Sequence, residues 1–197
     1  MTEPLSFLAP EPAMKPIKSP LALTVALLAG VLGAADAAAD PENTLYLDLA
    51  SGRVVIEMRP DLAPQHVARI KDLVRQGFYD GLTFHRVIDG FMAQTGDPRG
   101  DGTGGSGTKL PAEFSKEPFL RGTVGMARAQ SPNSGDSQFF ICFKDARFLD
   151  GQYTVWGRVI DGMEYVDKIK RGSEAQNGRV VDPDKILRMQ VAADVKG

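Results

Sequence analysis

The apolar residues of this chain change period several times, and each change marks an element. In "TLYLDLASGRVVIEM", residues 44–58, Leu45, Leu47 and Leu49 alternate with polar positions, Ser51-Gly52 interrupts, and Val54, Ile56 and Met58 resume the alternation. A period of two puts one face of a strand against a core, so the segment predicts a hairpin. "APQHVARIKDLVRQGFYDG", 63–81, switches to helical spacing, with Val67, Ile70 and Val74 on one face. Pro64 suits a first helical residue and Gly77 a stop. His66 falls on the polar side of this helix and is expected in solvent. "FHRVIDGFMAQTGD", 84–97, predicts two short strands broken at Asp89-Gly90, and "DPRGDGTGGSGTK", 97–109, a glycine-rich surface loop. Three more strands are predicted in "GTVGMAR", "QFFICF" and "TVWGRVID", a second helix in "GMEYVDKIKRG" and a closing strand in "KILRMQVAAD". Eight short strands with two separated helices predict an all-β barrel or sandwich with helical plugs.

The N-terminal segment has a different character. "MKPIKSPLALTVALLAGVLGAADAAAD" carries Lys15 and Lys18, an apolar stretch from Leu21 to Leu32, then small residues. Basic start, short apolar core and Ala-x-Ala exit are the layout of a secretory signal peptide. The apolar stretch is shorter than the ~20 residues of a spanning helix, which disfavours a retained membrane anchor. Cleavage is expected after Ala39, with Ala35 as second choice. Glu3 and Glu11 precede the basic region, so Met14 is the expected start. Residues 1–39 are therefore read as extension plus signal peptide and 40–197 as one domain, with no stable membrane insertion after cleavage and a periplasmic destination.

Composition narrows the function classes. At 197 residues, 43% hydrophobic and 24% charged, the chain is ordinary globular material. Its net charge is −2, and losing Lys15 and Lys18 with Glu3, Glu11 and Asp36 leaves −1. Neither value suits a nucleic-acid partner. The single cysteine, Cys142, excludes an internal disulfide and a zinc–cysteine cluster, and its apolar surroundings predict a buried, inert thiol.

Candidate chemistry is sparse. Gly102-x-Gly104-x-x-Gly107 matches a dinucleotide fingerprint formally, but Pro111 follows too soon for a helix and no acidic residue stands about twenty positions on. His85 adjoins Arg86 in a strand and has no Ser, Cys or carboxylate beside it, so a buried, hydrogen-bonded imidazole is expected rather than a general base. Two histidines so placed offer no metal site, and no cofactor is expected. What remains around Arg86 is Phe91, Met92 and Gln94: one cation, apolar surface and one amide.

"FHRVIDGFMAQTGD", "GTVGMARA", "NSGDSQFFI", "FLDG" and "VWGRVIDGMEYVDKI" together resemble a cyclophilin, a peptidyl-prolyl cis–trans isomerase, from about residue 43 to the end. The resemblance implies a mainly β fold: an eight-stranded antiparallel closed β-barrel capped by two α-helices. Arg86, Phe91 and Gln94 are then the catalytic positions, Arg86 donating to the prolyl nitrogen and Gln94 binding the substrate carbonyl and orienting the arginine. Phe91, Met92, Phe140 and Leu149 match the proline pocket, Ala127 and Arg128 the strand that pairs with the peptide, and Gln138 a polar residue at the edge. Arg128 stands where many members have Asn. Phe148 and Tyr153 match the rim, where cyclosporin-sensitive members carry Trp and many carry His. The signal peptide and compact loops resemble the secreted bacterial branch. Proline-containing exported polypeptides are the expected partners and a monomer the expected state; the alternative is a peptide-binding chaperone with incidental isomerase activity.

Overall fold

A computed structural model describes residues 40–196. The predicted hairpin forms β1 (Thr44–Leu49) and β2 (Gly52–Met58), paired antiparallel with Leu49 opposite Gly52. Its alternating Leu45, Leu47, Leu49, Val54, Ile56 and Met58 are all buried. Helix α1 (Pro64–Arg75) follows, then β3 (Arg86–Ile88), β4 (Met92–Thr95), β5 (Thr123–Met126), β6 (Phe139–Cys142) and β7 (Val155–Asp161). The short helix α2 (Met163–Val166) and β8 (Ile186–Val191) complete the order. The chain is mainly β, with eight antiparallel strands in the order β3-β4-β6-β5-β7-β2-β1-β8; α1 packs near β8 and β7, and α2 near β2.

The expectation of a closed barrel is corrected: no ladder joins β3 to β8, and the sheet is open between them. The chain entering β3 meets β8 through irregular backbone instead, with Gly81 N donating to Ile186 O, Ile186 N to Leu82 O and Phe84 N to Asp184 O, plus one bridge between Thr83 and Lys185. These contacts satisfy backbone groups that a bare edge would leave open.

The sheet buries both faces where the site lies. In β6, Phe139 and Ile141 enter the main core, whereas Phe140 and Cys142 join a second cluster with Met92, Phe119, Ala146, Leu149 and Val155. That two-sided burial explains why "QFFICF" is a continuous apolar run instead of an alternating one. Cys142 is buried, and burial pushes its thiol pKa up to about 12.

His66 corrects another expectation: it is 1% exposed. The Ncap of α1 is Ala63, which has no side-chain acceptor, and Glu113 from a distant loop does the capping. Its carboxylate accepts from Gln65 N (3.1 Å), His66 N (3.0 Å) and the His66 ring at Nδ1 (2.6 Å), drawing the loop over the imidazole. Among the described residues, no helix is long and apolar enough to cross a membrane. Segment 1–39, with the expected start at Met14 and exit at Ala39, lies outside the described residues.

Candidate active site

The site is assembled by strand register. Arg86 pairs with Gln94 across β3–β4, Gln94 with Phe140 across β4–β6, and Phe140 with Gly125 across β6–β5. Residues opposite one another share a face, so four strands deliver these four residues in one row on the outside of the sheet. Gly125 is required there: a Cβ would lie 2.6 Å from the Phe140 ring and 2.7 Å from that of Phe119. Without it Phe140 settles back, stacked on Phe119 at 5.8 Å and edge-on to Tyr153 at 5.9 Å.

Above this row opens a cavity of about 630 Å³. Arg86, Phe91, Met92, Gln94, Ala127, Arg128, Phe140, Phe148, Leu149 and Tyr153 all line it. Gln138, the remaining expected residue, stands behind the wall and accepts from Gln94 Nε2 through its own Oε1 at 2.9 Å. Its amide nitrogen donates to Gly102 O and Gly104 O, tying the row to the glycine-rich loop. Phe148 is 65% exposed and leans on Phe91 with ring centroids 5.3 Å apart. Arg128 lies 4.5 Å over the Tyr153 ring and donates to the carbonyls of Ala129, Gln130 and Gln152.

Arg86 is held at three points. Nη1 donates to Gln94 Oε1 (3.0 Å), Nε to Asn177 O (3.1 Å) and Nη2 to Asn177 Oδ1 (3.0 Å). A guanidinium has five N–H donors in one plane, so one remains on each terminal nitrogen. Burial pulls the Arg86 pKa below its ordinary value, with Tyr153 opposing, yet arginine keeps its charge wherever the protein folds.

Three features of this cavity were not read from the sequence. The glycine-rich loop is more than a surface excursion, since Gly100–Thr103 form part of the wall. Buried Asp97 fastens it by accepting from the amides of Arg99, Asp101 and Gly102, and buried Asp136 does so through Ser106 and Gly107. His85 also lines the cavity; it is buried as expected, but among the described residues neither ring nitrogen has a hydrogen-bond partner. Asp97 and Asp101 act on it only through space, Asp97 being bonded to loop amides, and burial lowers the His85 pKa more than these carboxylates raise it. Asn177 and Arg179 approach from the segment before β8, far from Arg86 in sequence.

The arrangement holds no nucleophile activated by a base and no acid–base pair. Among the described residues no three His, Cys, Asp or Glu side chains gather as metal ligands would. What the cavity can do is desolvate a small apolar ring and offer a fixed cationic donor beside it.

Known proteins are similar to this chain in sequence and in fold. The family model "Cyclophilin type peptidyl-prolyl cis-trans isomerase/CLD" matches residues 44–191. A probable peptidyl-prolyl cis-trans isomerase of Brucella suis is 60% identical over 194 residues, spanning 91% of this chain and 98% of its own length. A peptidyl-prolyl cis-trans isomerase of Synechococcus elongatus is 42% identical over 148 residues, spanning 75% and 95%. Among solved structures, cyclophilin AquaCyp293 from Hirschia baltica is similar with a TM-score of 0.71 at 29% identity, covering 80% of this chain and 76% of its own. A Cryptosporidium parvum cyclophilin-type isomerase, solved in the presence of the dipeptide Ala-Pro, gives 0.68 at 27% identity, covering 75% and 98%.

Proposed function

The chain belongs to the cyclophilin-type peptidyl-prolyl cis–trans isomerases, and from that premise we propose that Arg86 is its catalytic donor and exported proteins its substrates. The observation that carries the first half is the three-point suspension of Arg86 in a cavity that also presents Phe91, Met92, Phe140 and Leu149. Prolyl isomerisation breaks no covalent bond; the obstacle is amide resonance, a barrier of ~20 kcal/mol that makes the uncatalysed step last tens of seconds or more. A gain of about 10⁵ in rate requires roughly 7 kcal/mol of preferential binding to the twisted amide.

Twisting makes the prolyl nitrogen pyramidal and gives it a lone pair that accepts a hydrogen bond. One of the two remaining Arg86 N–H groups donates there. A preorganised donor in a dry pocket supplies about 3–4 kcal/mol. Seating the pyrrolidine among Phe91, Met92, Phe140 and Leu149 strips water from the amide and supplies part of the rest. Gln94 holds the substrate carbonyl, and Ala127 and Arg128 align the flanking peptide.

The N-terminal order of Lys15 and Lys18, Leu21–Leu32 and Ala37-Ala38-Ala39 supports export, and with it folding assistance in the periplasm. Refolding of a protein limited by a cis-proline step tests the reading. Wild-type protein in catalytic amounts should abolish the slow phase and Arg86→Ala should not. Equal acceleration by both would overturn Arg86 as the donor, and a higher refolding yield with no faster slow phase would favour a peptide-binding chaperone.

A further inference from the structure

We propose that Asn177 is a positioning residue for isomerisation, acting by fixing the plane of the Arg86 guanidinium; the inference rests on Arg86 being the donor. A long, flexible side chain at the edge of a sheet gives up much rotamer freedom on being ordered, so its orientation has to be imposed. Asn177 imposes it twice. Its backbone oxygen receives Nε and its Oδ1 receives Nη2, which occupies one whole edge of the guanidinium with a single residue. Gln94 takes Nη1 from the other side. Three acceptors around a rigid planar group define its plane and leave only the outward N–H groups for a substrate.

Both acceptors can face the same edge because Asn177 is left-handed, at φ 53° and ψ 40°. Asn tolerates this conformation better than most residues. The backbone around it is clamped to β3 on either side of Arg86: Val180 N donates to His85 O, Val87 N to Gly178 O, and Gly172 N to Val87 O. Gly178 is pressed so tightly that a Cβ would lie 2.5 Å from Ile88 Cγ1. Since main-chain bonds already fasten the segment, the Asn177 side chain is not needed to hold it there. What the amide oxygen adds is borne by Arg86.

The test is Asn177→Gly, which keeps the left-handed backbone and its carbonyl while removing Oδ1. Peptide isomerisation is measured for this variant in the wild-type and Arg86→Ala backgrounds, with thermal unfolding as a check on folding. In the wild-type background kcat should fall about 3- to 10-fold with KM within about twofold, the signature of a lost transition-state interaction. In the Arg86→Ala background the same change should have no further effect. Full activity of Asn177→Gly while Arg86→Ala is impaired would overturn the inference alone. So would an equal loss in both backgrounds, which would mean that Asn177 acts elsewhere. Near-wild-type activity of Arg86→Ala by itself would instead refute the reading of Arg86 as donor.

Discussion

Glu113→Ala should destabilise the fold more than any surface charge change, although Glu113 is no part of the cavity. Its side chain is 11% exposed and replaces the cap that Ala63 does not provide. Deleting it removes acceptors from Gln65 N, His66 N and His66 Nδ1. A lost cap costs about 0.5–2 kcal/mol, and the carboxylate's attraction to the helix N-terminus adds about 0.3–1. Leaving the buried His66 donors without partners adds about 1–3. These contributions overlap, so a loss of roughly 2–5 kcal/mol is expected. For a domain of this size that is a fall in Tm of roughly 4–20 °C, at about 2–4 °C per kcal/mol. Urea unfolding followed by tryptophan fluorescence reads it directly, since Trp156 lies in the same core as α1's apolar face. A loss under about 1 kcal/mol would refute the capping argument. The pair also sets an acid dependence. Burial lowers the His66 pKa despite Glu113; burial raises that of Glu113, but its hydrogen bonds outweigh this and leave it below the usual carboxylate value. Both folded-state values are depressed, so the unfolded chain binds more protons. Wild-type stability should therefore begin to fall below pH 6.5 through His66 and continue to fall below pH 4.5 through Glu113.

Two further outcomes are expected. Phe148→Trp should bind cyclosporin at least tenfold more tightly than wild type in an inhibition titration. The indole restores a donor worth about 0.5–1.5 kcal/mol, and an acceptor left unpaired by Phe148 costs about 1–3 more; equal inhibition of both forms would show that this rim position does not set sensitivity. N-terminal sequencing of the protein from its host should begin near Asp40, whereas a product still carrying Leu21–Leu32 would refute export.

Local periodicity made much of the fold legible, because β1, β2 and α1 show a buried face in their own residues, whereas β5 and β6 are buried at every position. Closure was not legible, since it depends on how 81–84 meet 184–186, where no ladder forms. His66 lies off the Val67–Ile70–Val74 face, and only the docking of Glu113 buries it. For the site, Arg86, Phe91, Met92 and Gln94 stand in one hairpin and could be grouped by eye. Asn177, 91 residues from Arg86, could not; an Asn-Gly pair signals a turn but not what the turn faces. The wall role of Gly100–Thr103 was hidden for the same reason: the loop's order comes from Asp97 and Asp136, whose amide partners no local pattern shows.

The central claim is that a fixed guanidinium, not the apolar pocket alone, lowers the barrier. It is tested most directly by Arg86→Ala in a protease-coupled assay on a short X-Pro peptide, with peptide affinity measured separately. The predicted result is a fall in kcat/KM of about 10²–10³ with affinity within about threefold and unfolding unchanged. A folded variant that isomerises within about threefold of wild type would contradict it.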